Sequence, residues 1–206
     1  MVMLKDTRDR NSYFKKEDIH QYLKEYAGAI SYSLNKINQE DLELARTLIV
    51  NTSRLGGRIF VAGNGGSAAI SDHLCCDFVK GTFTNKLNAL QTHSLVSSQA
   101  LFSAIANDLG YEKTFSAQLE MYKLTGADTV ILISSSGNSQ NIIEAALFSN
   151  SRNAGLIGLT GFDGGALLRL AHARLHIPYN NYGVIEDCHQ ALMHILAQFI
   201  YVTNES

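Results

Sequence analysis

From Glu17 to Leu34 the apolar positions Ile19, Tyr22, Leu23, Tyr26, Ile30 and Leu34 recur at helical spacing. A second helical pattern runs from Gln39 to Leu55, with Leu42, Ala45, Leu48, Ile49 and Thr52 on one stripe, Asn38 placed to cap it and Gly56-Gly57 to end it. The pattern then changes. Short β-rich runs at Arg58–Ala62, Leu87–His93, Asp128–Ser134, Gly155–Thr160 and Ala173–Ile177 alternate with helical stretches. Those helices are expected near Ser67–Val79, Ser97–Ala106, Lys113–Leu124, Ser139–Ser149, Ala166–Ala171 and Val184–Tyr201. Near-continuous apolar strands such as Val130-Ile131-Leu132-Ile133 belong to a sheet buried on both faces. The fold class is therefore α/β, with a doubly wound, five-stranded parallel sheet flanked by helices. Two helices ahead of the first strand exceed what such a sheet needs, and their natural use is contact with another subunit. Residues 1–15 are polar and expected to be loosely ordered, leaving residues 16–55 as the oligomerisation helices of a single domain spanning 1–206.

Composition narrows the partners. The formal net charge of −2 gives no reason to expect nucleic acid or an anionic membrane surface. No apolar run reaches membrane length, and the polar N-terminus lacks a signal-peptide core. Three cysteines, two of them adjacent (Cys75 and Cys76), do not make a disulfide framework, so a reducing cytoplasm is the expected compartment.

In parallel sheets ligands bind beyond the carboxyl ends of the strands. Three loops fall there. Gly63-Asn64-Gly65-Gly66-Ser67 is a glycine turn opening a helix, suited to an oxyanion because its N–H groups converge without Cβ obstruction. Gly63, Gly65 and Ala68 satisfy the dinucleotide pattern G-x-G-x-x-A, but the strand ending near Gln91–Ser94 offers no carboxylate for a ribose, which sets the nucleotide reading aside. Ser134-Ser135-Ser136-Gly137-Asn138-Ser139 carries more hydroxyls than capping requires and reads as a phosphate cradle. The loop Thr160–Gly165 reads as a tight turn.

Two helices carry chemistry-bearing groups. On an ideal helix His73, Asp77 and Lys80 lie within about 60° of one another, opposite an apolar side containing Leu74 and Phe78. His73 and Asp77, four residues apart, can share a metal or a substrate; spacing alone favours an exposed polar pair. In the last helix Ile185, Cys188, Leu192, Ile195 and Phe199 form the core stripe, with Glu186, Gln190 and His194 opposite. His189 flanks that stripe as a structural or exposed residue, and His172 and His176 read as surface residues.

Taken in order, Gly63–Ser67, His73-x-x-x-Asp77, Asn107-Asp108, Ser134–Ser139, Leu159-Thr160-Gly161 and Glu186 with His194 resemble the motifs of sugar isomerase (SIS) domain proteins, and within them the phosphoheptose isomerases. The resemblance covers about residues 20 to 202. It implies isomerisation of sedoheptulose 7-phosphate to the aldose heptose 7-phosphate, by a homotetramer with sites between subunits and ligand positions for one zinc per subunit. By position it assigns Ser67, Ser134, Ser135, Ser136 and Ser139 to the phosphate, and Asn64, Gly65, Gly66, Asn107, Asp108 and Glu186 to the sugar. It places His73, Asp77, Glu186 and His194 on the metal, with Asp77, His194 and Glu186 as catalytic groups. Asp77 stands where the family usually has Glu, and Glu186 where it usually has Gln; both remain oxygen donors. Lys80 falls one position before the family's phosphate-side arginine. These departures leave room for an isomerase of another sugar phosphate. Some SIS proteins are instead non-catalytic, bridging copies of a bacterial replication initiator; those lack the acid and the histidine found here at 77 and 194.

Overall fold

The computed structural model describes residues 12–83 and 90–205. Five parallel strands, β1 (Ile59–Gly63), β2 (Thr92–Ser94), β3 (Thr129–Ser134), β4 (Gly155–Gly161) and β5 (Ala173–Ile177), form one sheet in the order β2-β1-β3-β4-β5. Around it lie α1 (Ile19–Leu34), α2 (Gln39–Arg54), α3 (Gly66–Cys76), α4 (Gln99–Asp108), α5 (Ser116–Met121), α6 (Gln140–Ser151), α7 (Gly165–Leu170) and α8 (Tyr182–Glu205). The doubly wound parallel sheet and the two helices ahead of it are as the pattern predicts.

Alternation along the strands sends neighbouring residues to opposite layers. Ile59, Val61, Ile131, Ile133, Ile157 and Leu159 pack with Ile49, Leu74, Phe78 and Leu192 under α2, α3 and α8. Phe60, Ala62, Val130, Leu132 and Leu156 pack with Phe115, Leu119, Ile142 and Leu167 from the other layer. Each such side chain contributes roughly 1.5–3 kcal/mol on full burial, so the sheet is the main source of stability. At its lower end Arg58 and Asp128 pair at 3.0 Å, and the Arg58 N–H also donates to Asp128, tying the starts of β1 and β3.

Local signals set the ends. Asn38 caps α2 by accepting the Asp41 N–H at 2.9 Å, as expected, and Gly56 stops that helix in the left-handed region at φ 67°. Asp18 caps α1 by accepting from His20 N, so the helix begins two residues after Glu17.

Several expectations are corrected. The helix expected over Ser67–Val79 ends at Cys76 and continues as a π turn over Asp77–Gly81. The helix expected over Lys113–Leu124 resolves into a 3-10 turn at Tyr111–Lys113 followed by α5; Thr114 donates its hydroxyl back to Tyr111 O and breaks the continuity. The strand expected at Leu87–His93 lies partly outside the described residues; β2 begins at Thr92. Looseness expected for residues 1–15 also falls largely outside them, but Ser12 is pinned by two hydrogen bonds to Asn180 O and Phe14 packs edge-on against Tyr22 and Tyr26. Ile195 and Phe199, assigned to the core stripe of α8, are 45% and 50% exposed in the single chain.

Candidate active site

Strands β1 and β3 are neighbours, so the glycine turn and the serine loop emerge side by side. Asn64 locks them together. Its amide exchanges hydrogen bonds with Asn141 on α6 at 2.9 and 3.0 Å, and Tyr111 donates to Asn64 Oδ1 at 2.8 Å. Asn141 is fully buried and reaches Thr114 as well. Sequence reasoning found Asn64 but missed Asn141, Tyr111 and Thr114. The available signal was a polar residue directly before Ile142 on the buried face of a helix.

The serine loop is clamped from its other side by the turn after β4. Gly161 N–H donates to Ser135 O at 2.8 Å, Leu167 N–H to Gly137 O at 3.0 Å, and Ala166 N–H to Asn138 Oδ1 at 3.0 Å. The turn expected at Thr160–Gly165 therefore braces the loop. Ser139 occupies the N-cap of α6 without a side-chain capping bond; its hydroxyl lies 3.3 Å from that of Ser134. The first N–H groups of a twelve-residue helix lie together with two half-buried serines, Ser136 and Ser139, an arrangement chemically suited to an anion. Ser67 and Ser134 are buried beside it, whereas the Ser135 hydroxyl is covered and without a partner, so in this conformation Ser135 serves through its backbone.

The start of α3 is occupied differently. Glu186 from α8 lies over Gly66, its Oε2 2.5 Å from where a Cβ would stand, so any larger residue there would displace the Glu186 carboxylate. Burial, reinforced by the charge of Asp187, raises the Glu186 pKa above the ordinary carboxylate value. A cleft beside the turn is lined by Asn64, Gly65, Gln99, Phe102, Ser103 and Tyr111. Asn107 and Asp108 do not line it: they are exposed at the end of α4 and hydrogen-bond to each other at 2.7 Å.

The second cluster sits farther along α3. His194 Nδ1 is 2.8 Å from Asp77 Oδ2, and His73 Nε2 is 3.6 Å from Asp77 Oδ1. The two imidazoles meet edge to face at 4.9 Å. One donor atom from each of His73, Asp77 and His194 falls within 4.8 Å of the others. Despite its closeness to His194, Asp77 Oδ2 is buried and receives no hydrogen bond. A carboxylate between two imidazoles, with one oxygen buried and unsatisfied, is a donor set that fits zinc. Glu186, expected as a fourth ligand, is not part of this group. It precedes His194 by two helical turns, roughly 12 Å along the axis.

A cavity of about 370 Å³ opens beside Asp77 and His194, bounded by Gly81, Ala197, Gln198 and Tyr201. Lys80 is exposed on the π turn, roughly 20 Å along the helix from Gly66, too far to meet a phosphate in the serine loop of its own chain. His189 is buried, with Nε2 3.1 Å from Thr160 O, a structural role as expected. His176 is no surface residue: it is half-buried with Nδ1 2.9 Å from Thr160 Oγ1. His172 is exposed, yet its Nδ1 accepts the Leu156 N–H at 3.0 Å. The three cysteines are free; burial pushes the Cys75 and Cys188 thiols up to about 12 and about 11. No helix among the described residues is long and apolar enough to cross a membrane.

A parallel sheet with a serine-rich loop at its carboxyl edge and a His/carboxylate cluster on the flanking helices defines an α/β protein with two candidate ligand-binding regions. The SIS domain profile matches residues 21–161. A phosphoheptose isomerase of Aliarcobacter butzleri is 36% identical over 162 residues, 79% of this chain and 85% of the relative. A probable phosphoheptose isomerase of Thermoplasma volcanium is 32% identical over 178 residues, 86% and 90% of the two chains. The structure of a phosphoheptose isomerase from Francisella tularensis superposes with TM-score 0.81 at 25% identity, covering 91% of this chain and 97% of that one. That from Neisseria gonorrhoeae superposes with TM-score 0.79 at 28% identity, covering 88% and 97%. The chain belongs to the phosphoheptose isomerase family of SIS-domain proteins.

Proposed function

We propose that this chain is an aldose–ketose isomerase converting sedoheptulose 7-phosphate to D-glycero-D-manno-heptose 7-phosphate. The observation that carries the reading is the 2.8 Å approach of Asp77 and His194, a carboxylate and an imidazole brought together on a phosphosugar-isomerase scaffold. The phosphate is seated in the serine loop, by Ser136, Ser139 and the N-terminus of α6 with Ser67 and Ser134 behind them. Asp77 takes the proton from C1 of the ketose, while His194 delivers a proton to the carbonyl oxygen at C2, giving the enediol. Removal of the C1 hydroxyl proton and return of a proton to C2 complete the aldose, with no net change of oxidation state. His73, Asp77 and His194 would hold zinc, and zinc bound there supplies Lewis-acid polarisation of the sugar carbonyl.

Distance adds a condition. Asp77 lies eleven residues beyond Gly66, roughly 16 Å along α3, away from the edge where the serine loop opens. An extended heptose phosphate spans only about 10 Å. The reading therefore requires the serine loop of one copy, with Glu186 and Gly66 beside it, to face the Asp77–His194 cluster of another. Exposed apolar residues on the outer helices, Leu23, Tyr32, Ile195, Phe199 and Val202, support such contacts, and we assign the chain as one domain over 1–206 acting as a homotetramer in the cytoplasm.

The test is turnover of sedoheptulose 7-phosphate by purified protein against Asp77→Asn and His194→Ala. Each variant should lose about 10²–10⁴-fold in kcat. Undiminished turnover in both would overturn the assigned roles.

A further inference from the structure

Gln190 stands on α8 between Glu186 and His194, half-buried, and the reaction as described makes no use of it. Its side-chain amide meets His194 Nε2 at 3.1 Å. The other ring nitrogen, Nδ1, is the one facing Asp77. The contact with Gln190 and the tautomer of His194 are therefore linked, because the bond at one imidazole nitrogen decides what the other can do.

Two arrangements satisfy the contact. If the amide donates, Nε2 accepts and Nδ1 must carry the hydrogen. That hydrogen would then belong on Asp77 Oδ2, 2.8 Å away, yet this oxygen receives no hydrogen bond. If the amide turns by half a rotation, its oxygen accepts Nε2–H, and Nδ1 presents a lone pair. Two lone-pair atoms, Nδ1 and Asp77 Oδ2, then face each other at close range, which is unfavourable unless a cation lies between them. His73 offers a third donor atom within 4.8 Å of these groups, and its Nε2 lies 3.6 Å from the other Asp77 oxygen, Oδ1.

We infer that Gln190 is a positioning residue for the metal centre: its amide oxygen holds the Nε2–H of His194 and so commits Nδ1 to the ion. This rests on the metal reading of the His73–Asp77–His194 cluster. An outer partner of this kind fixes ring orientation and raises ligand basicity, and its loss typically lowers metal affinity about 10–100-fold.

The experiment is zinc affinity, measured by competition with a chromophoric chelator, for the full-length protein and for Gln190→Leu and Gln190→Glu, with circular dichroism and a thermal melt on each. Leu fills similar space but accepts no hydrogen bond, whereas Glu offers only acceptors. The expected result is a loss of about 10–100-fold for Gln190→Leu and an affinity within a few-fold of the parent for Gln190→Glu. Equal affinity in Gln190→Leu and the parent, or equal loss in both variants, would overturn the inference while leaving the metal site standing. A parent protein that takes up no zinc would overturn the metal reading and the inference with it.

Discussion

Mixing two differently damaged copies of this chain distinguishes a site shared between molecules from one contained in each. Asp77→Asn removes the base but leaves the serine loop; Ser136→Ala with Ser139→Ala removes the anion seat but leaves the cluster. If each site draws the loop from one copy and the cluster from another, random assembly of equal amounts leaves about a quarter of the sites with both halves intact. If each site lay within one chain, no intact site would form. The distances favour the first case. Roughly 16 Å of helix separates Gly66 from Asp77, against about 10 Å for the extended substrate. The assay is turnover of sedoheptulose 7-phosphate by hybrids made by co-expression, or by joint unfolding and refolding, normalised to the parent treated identically. Recovery to about a quarter of parental kcat, with the parental KM, is the expected outcome. A mixture no more active than the mean of its two parents would refute the shared site.

Other consequences are independent of assembly. Gly137 has φ 63° and backs onto the Gly164 carbonyl, so Gly137→Ala forces the serine loop from the turn that braces it. Left-handed strain of about 1 kcal/mol plus one or two lost backbone bonds totals roughly 2–3 kcal/mol, readable in urea unfolding. Gly28→Ala, in α1 with open space around it, should raise stability by about 0.5–1 kcal/mol, and matching losses in the two variants would sink the bracing argument. Burial lowers the His189 pKa to about 4, partly opposed by its bond to Thr160 O. A base whose folded value is depressed holds its stability above the unfolded value near 6.5 and loses it as pH falls toward 4, here on the order of 3 kcal/mol. His189→Gln should flatten the stability profile across that window, and an unchanged slope would show that another group is responsible. Glu186, raised by burial, has the opposite sign. Its neutral form is favoured in the fold, so Glu186→Gln should stabilise the protein at neutral pH and leave it unchanged near pH 3.5.

The sheet was legible because its information is local. Val130–Ile133 is apolar without interruption, and only a strand covered on both faces accommodates that. The caps were legible for the same reason: Asn38 and Gly56 act within four residues of themselves. Ser134–Ser139 announced an anion seat by composition, but which hydroxyl faces outward depends on the turn after β4, thirty residues downstream. Ser135 is covered while Ser136 is half-exposed. Asn141 and Tyr111 escaped because neither belongs to a motif. They matter only through Asn64, which lies far from both in the chain.

Glu186 shows where periodicity stops. A helical wheel places Glu186, Gln190 and His194 on one side of α8, and the structure agrees that they share a face. The wheel gives direction and discards translation along the axis. Gly66 to Asp77 on α3 is matched by Glu186 to His194 on α8, because the two helices pack together running in the same sense. Residues that coincide in projection are thereby delivered to opposite ends of a helix pair: Glu186 to Gly66 at the start of α3, His194 to the Asp77 cluster. A substrate shorter than that separation cannot use both ends of one pair. The same geometry that makes the four-residue constellation look like a single centre on paper separates Glu186 from His73, Asp77 and His194 within one chain, and it is this separation that makes the proposed reaction depend on contact between copies.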